Sequence, residues 1–311
     1  MPPAIDEDLR RKLSAPEAII PCVEQDLGNP DWDKAEARVL ILRLSPFADI
    51  EGSTSHLVLF AECRKASSRA YIDFGFFPDR KDRATLSASG APFFYGLCSG
   101  RAPEDFDLVL VSNAFALELV NLGYLYSTSS MPRRASERAL AARSGLRQPI
   151  VVLGGSNAAL AGALLYPGEG KEEASDCLVD AIFFGEAAGA LAAPAIAGFQ
   201  SIPLGHSGAL GDILAAGASP GLSREGRLEK LLSVEGLWVA GSGRKASRRI
   251  ARPYPTLLAD YPILNSPGAS TAKLQISSGC PGFCSFCLEG WQSRPYRELP
   301  IAEIVKAARE L

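Results

Sequence analysis

Residues 149–160 read PIVVLGGSNAAL. A short run that is apolar at successive positions, not only alternate ones, is a strand covered on both faces, as in a parallel sheet. Two glycines then end it where the chain must turn closely. The same pattern recurs on either side. Residues 38–44 (RVLILRL), 69–77 (RAYIDFGFF), 106–112 (FDLVLVS) and 179–184 (VDAIFF) read as four more buried strands. Helices are predicted over 54–65 and 114–125, and a short one over 187–193, where Pro194 would kink or end it. Five βα units in residues 35–200 predict an α/β fold class: a flavodoxin-like, doubly wound parallel sheet.

Outside that unit the chain changes character. Residues 1–34 read as an N-terminal helical extension. Residues 201–270 read as a helical segment with a short strand at 237–240, then a linker carrying Pro253, Pro255, Pro262 and Pro267. A new element opens with residues 271–311. A strand at 273–277 (KLQIS) leads directly into a cysteine cluster, and a helix follows over 301–311 with Pro300 near its first turn.

Composition bounds the function. The 311 residues carry a formal net charge of −3, which argues against a nucleic-acid surface built on bulk positive charge. Arg244, Lys245, Arg248 and Arg249 form a local basic group that reads as a solvated linker. No apolar run reaches the roughly 20 residues of a bilayer span, and the N-terminus has no apolar core behind its charges. The expectation is a cytoplasmic protein with reduced thiols and no membrane partner. Four of the seven cysteines, Cys22, Cys63, Cys98 and Cys177, stand alone and read as small buried side chains. Asp73, Asp107, Glu118 and Asp180 sit in or beside strands and helices, where structural roles are expected.

The remaining cysteines are clustered. SSGCPGFCSFCLEG places Cys280, Cys284 and Cys287 within eight residues, with Gly279, Pro281 and Gly282 supplying turn chemistry. Thiolates are the ligands of iron–sulfur clusters, and three ligands on a four-iron cluster leave one iron open. A structural zinc site would want a fourth ligand, and His56 and His206, the only histidines, are remote in sequence. Zinc stays open as the alternative metal.

The longer stretch at 273–298, KLQISSGCPGFCSFCLEGWQSRPYRE, resembles the radical S-adenosylmethionine (radical SAM) superfamily. That resemblance implies a [4Fe–4S] cluster on Cys280, Cys284 and Cys287, S-adenosyl-L-methionine as cofactor, and Phe286 beside its adenine. It also implies that this segment opens a (β/α) barrel, and that the chemistry is reductive cleavage of S-adenosylmethionine to a 5′-deoxyadenosyl radical acting on an unknown substrate. Arg294, Arg297 and Glu298 read either as contacts to cluster or cofactor, or as an ion-pairing segment anchoring the next helix; we favour the second.

Residues 149–160, 179–191 and 106–126 are similar to the cobalamin-binding-like domain of one uncharacterised subgroup of that superfamily. The similarity implies Gly154, Gly155, Gly185 and Glu186 as cofactor-binding residues and cobalamin as a further cofactor. The Asp-x-His-x-x-Gly signature is absent, and His56 reads as a polar-face residue of a helix, so a scaffold role for the domain stays open. Twenty-four residues follow Cys287, room for one helix, whereas the family's barrel needs several further βα units. The expectation is that a longer chain or a second polypeptide completes the barrel. The rival reading is a non-catalytic α/β binding or scaffold domain with a C-terminal metal-binding loop.

Overall fold

The computed structural model describes residues 5–14, 27–50, 53–166, 176–187, 208–219, 221–251 and 274–310. Cys22, His206, Pro194 with most of the helix read before it, and the four linker prolines lie outside the described residues.

Six strands form the central sheet: β1 (Ala37–Arg43), β2 (Ala70–Phe76), β3 (Leu108–Ser112), β4 (Ile150–Gly154), β5 (Ala181–Phe183) and β6 (Leu237–Val239). Their spatial order is β2-β1-β3-β4-β5-β6. The first four junctions are parallel, while β6 runs antiparallel to β5. The chain moves from β1 outward to β2, then crosses back to β3 on the far side. That reversal opens a crevice at the carboxyl ends of the strands between β1 and β3, where doubly wound sheets take ligands. The architecture is α/β and compatible with the flavodoxin-like order.

The predicted strands match because their apolar runs leave no face for water. Val39, Leu40, Ile41 and Leu42 are all fully buried, as are Ile72, Phe74, Val109 and Val151. Each such side chain contributes roughly 1.5–3 kcal/mol by leaving water. The sheet also continues past residue 200. Helices α4 (Ala209–Gly217) and α5 (Arg224–Leu231) lead to β6, and α4 packs on α1 (Ser55–Ala66) and on α5. The segment read as helical ahead of the linker is thus part of the α/β unit.

Other elements depart from the sequence reading. Helices α2 (Arg80–Ser89) and α3 (Ala135–Arg143) were not expected, because each buries only two side chains and shows no apolar stripe. Capping defines α2 instead: the Asp79 carboxylate accepts from the Asp82 N–H at 2.9 Å, and Gly90 closes the far end at φ +69°. The helix expected over 114–125 is a 3-10 segment, Ala116–Asn121, running into a short α-helix, Leu122–Ser127.

His56 overturns its reading. It points inward from α1, fully buried and edge-on to Phe74 and Phe76, with neither ring nitrogen hydrogen-bonded. Burial, with the Arg43 charge beside it, pushes the imidazole down to about 3, so it is neutral. Helical periodicity identified the helix but not which side faced the sheet.

The four acidic residues are structural. Asp73 accepts from the N–H groups of Cys98 and Ser99, and Asp107 accepts from Arg38 N–H and pairs with Arg147. Glu118 caps Phe115 and holds Ser45. Asp180 lies between the buried guanidiniums of Arg138 (2.9 Å) and Arg224 (2.6 Å), and accepts from Val151 N–H in β4. Burial pushes this carboxyl up, but the two guanidiniums outweigh it and hold it below the ordinary carboxylate range. Cys63 and Cys177 are buried, and burial raises their thiols to about 12 and about 11; Cys98 is partly exposed. Among the described residues no helix is long and apolar enough to cross a membrane.

The cysteine segment forms a small ribbon apart from the main sheet. β7 (Ser277–Ser278) pairs antiparallel with β8 (Arg297–Glu298), and Leu299 N–H reaches Ile276 C=O at 2.9 Å. The strand expected from residue 273 is therefore confined to its last residue and the one beyond. The short helix α6 (Leu288–Gln292) lies inside the loop, and α7 (Ile301–Glu310) follows, close to the predicted span.

Candidate metal centre and cleft

Gly154 and Gly185 stand at the carboxyl ends of β4 and β5, and the chain there is shaped by backbone approach. Asn113 N–H donates to Gly154 C=O at 2.7 Å, drawing the turn after β3 against the turn after β4. Gly155, at φ +111°, has the Asn113 backbone where a Cβ would sit. Gly185, at φ +117°, is in the same position against the Arg249 backbone, to which it forms a parallel bridge. Only glycine meets both demands.

These strand ends form one wall of a cleft of about 900 Å³. Gly154, Gly155, Gly185 and Glu186, the four residues assigned to a cofactor by resemblance, all line it. The opposite wall is the cysteine segment, with Ser278, Cys280, Cys287 and Ser293. Cys284 and Phe286 do not line the cleft. Phe286 is 90% exposed.

Glu186 joins the two walls. Its carboxylate accepts from Ala251 N–H at 2.7 Å and pairs with Arg297, while Arg248 stands 4.0 Å away. Arg249 donates to its carbonyl. Arg297 is thus an ion-pairing residue, as favoured, but it anchors the loop to the sheet and not to the following helix. Arg248, placed by sequence in a solvated linker, lines the cleft and donates to Arg294 C=O.

The three sulfurs lie around two glycines. A Cβ on Gly282 would lie 3.4 Å from Cys280 Sγ and 3.6 Å from Cys284 Sγ. On Gly290 it would lie 3.4 Å from Cys287 Sγ and 3.8 Å from Cys280 Sγ. The same glycines donate their N–H groups, Gly282 to Cys280 Sγ at 3.4 Å and Gly290 to Cys287 Sγ at 3.3 Å. Such bonds stabilise thiolate charge and tune bound clusters. Gly279 is wedged beneath the returning chain, where a Cβ would be 2.5 Å from Pro295 C=O. Gly290 was missed from sequence; its signal is a residue without a side chain three positions after the last cysteine.

Among the described residues no group of three or more His, Cys, Asp or Glu converges on a position for one metal ion. A zinc holds its sulfurs about 2.3 Å from a single centre. A four-iron cluster spreads its thiolates over separate irons, and thiols with N–H donors on two of the sulfurs are the donor type such a group takes. No family model, curated protein or solved structure matches the chain.

Proposed function

We propose that this chain carries the cluster-binding segment of a radical SAM protein, set against an α/β domain that forms the far wall of its cleft. The observation that carries the reading is the gathering of the Cys280, Cys284 and Cys287 sulfurs around Gly282 and Gly290, with Cys280 and Cys287 lining the cleft. These thiolates would hold three irons of a [4Fe–4S] cluster and leave the fourth for S-adenosylmethionine. When bound, the cluster supplies the electron for reductive cleavage of S-adenosylmethionine to a 5′-deoxyadenosyl radical.

The chain's own residues orient and enclose. Gly282 and Gly290 N–H groups oppose the thiolate charge, and Cys280 and Cys287 present the site to the cleft. Phe286, solvent-facing and unpartnered by another ring among the described residues, is available to an adenine.

Cobalamin is a weaker fit. Gly155, Gly185 and Glu186 are each accounted for by contacts within the chain, and His56 is buried away from the cleft lining. Those contacts favour a second reading of the α/β unit as a scaffold that seats the cysteine loop.

Anaerobic reconstitution followed by iron and sulfide analysis tests the proposal. About four irons per chain with a broad visible absorption, both lost in the Cys280→Ala, Cys284→Ala, Cys287→Ala triple variant, is the expected result. A colourless protein holding zinc, or no metal, would overturn it.

A further inference from the structure

Two carbonyls in the first half of the cysteine loop are tied down by side chains from its second half. Arg294 Nη2 donates to Gly282 C=O at 2.7 Å, and Trp291 Nε1 donates to Cys284 C=O at 2.8 Å. The two donors also stack. Arg294 Cζ lies 3.5 Å from the Phe283 ring centroid and 4.2 Å from that of Trp291, and the two rings meet edge to face at 5.9 Å. Phe283 thus sits between two fastened peptide groups, with a guanidinium over its face. A lysine ammonium would supply the same charge without the planar face that lies over both rings.

Arg294 makes no ion pair among the described residues, and its Nε is buried without a partner. Its one side-chain bond to the loop falls on Gly282, the residue whose N–H donates to Cys280 Sγ. Adding an electron to a thiolate-bound cluster adds negative charge, and a nearby unpaired cation in a partly desolvated setting favours that state.

We propose that Arg294 is a positioning residue for the Cys280–Cys284 limb and that its charge raises the reduction potential of the cluster bound there. The inference rests on the cluster reading above and deepens it. The step is a one-electron reduction of the cluster, with dithionite as the electron source in the titration.

Wild type, Arg294→Gln and Arg294→Lys are reconstituted and compared by iron content, by potentiometric titration followed by electron paramagnetic resonance, and by the rate of iron loss to a chelator. Arg294→Gln is expected to show a more negative midpoint potential and several-fold faster iron loss. Arg294→Lys is expected to bring the potential back toward wild type while iron loss stays fast, which a purely structural role would not produce. Full iron content with unchanged potential and unchanged loss rate in Arg294→Gln overturns the inference and leaves the cluster reading standing. Where Arg294→Gln fails to load, Arg294→Lys decides: a wild-type potential with faster loss supports the inference. A lysine variant that also fails to load, or that matches wild type in both, overturns it. Wild type that takes up no iron overturns the cluster reading, and this inference with it.

Discussion

The sheet and the cysteine loop are built on opposite principles. In the sheet, apolar side chains are sealed on both faces, and the buried Asp180 lies between two guanidiniums. In the loop and the helix after it, Phe283, Phe286, Ile301 and Val305 face solvent, and order comes from hydrogen bonds, ion pairs and close backbone approach. Hydrophobic burial therefore folds the first region without a ligand. The second has little burial of its own and rests on those polar contacts.

The largest expected effect strikes the sheet. Asp180→Ala strands two buried guanidiniums and is expected to cost about 3–5 kcal/mol. Urea denaturation followed by far-ultraviolet circular dichroism reads this as a lower midpoint. A loss under about 1 kcal/mol would mean the sheet does not depend on the pair.

Acid should expose the same region. His56 binds a proton readily when unfolded, near its ordinary value of about 6.5, but only below about 3 when folded. The unfolded state binds more protons throughout that interval, so stability is complete above about 6.5 and falls as pH drops, by about 2 kcal/mol at pH 5. His56→Phe should flatten the fall between pH 6.5 and 5 in urea midpoints. An equally steep fall in that variant would assign the effect elsewhere.

Between the regions, Gly185→Ala forces a Cβ onto the Arg249 backbone at a positive φ, and is expected to cost about 1–2 kcal/mol. The comparison sharpens if limited proteolysis then cuts near residue 249 sooner while the sheet keeps its circular dichroism. The smallest effect on the sheet is expected from the triple cysteine variant, within about 0.5 kcal/mol. That variant should nevertheless be cut faster within residues 279–296 than cluster-loaded wild type, and equal cutting would break the distinction.

The same contrast governs what was legible in the sequence. Strands β1 to β5 were visible because burial on both faces writes an apolar run into adjacent positions. The α2 helix was not, since Arg80–Ser89 is held by its caps and buries only Asp82 and Leu86. The cysteines announced themselves by spacing. Their clamps did not, because Arg294 meets Gly282 across the turn of the loop and Arg297 meets Glu186 from the sheet, and residue spacing announces neither meeting. His56 shows the limit from the other side: helical spacing was read correctly, yet a lone histidine carries no mark of which face it occupies.

The β7–β8 pairing has a thermodynamic corollary for the loop it closes. Ser277 and Ser278 pair with Glu298 and Arg297 through the backbone of the chain itself. Much of the entropy of bringing the ends of residues 279–296 together is therefore borne by backbone hydrogen bonds within the folded chain, not by metal–thiolate bonds. On the proposed reading, affinity for a cluster would then reflect the local fit of three sulfurs and two N–H groups. The base of the loop is thus held twice, by pairing local to it and by Arg297 on Glu186 of the α/β unit.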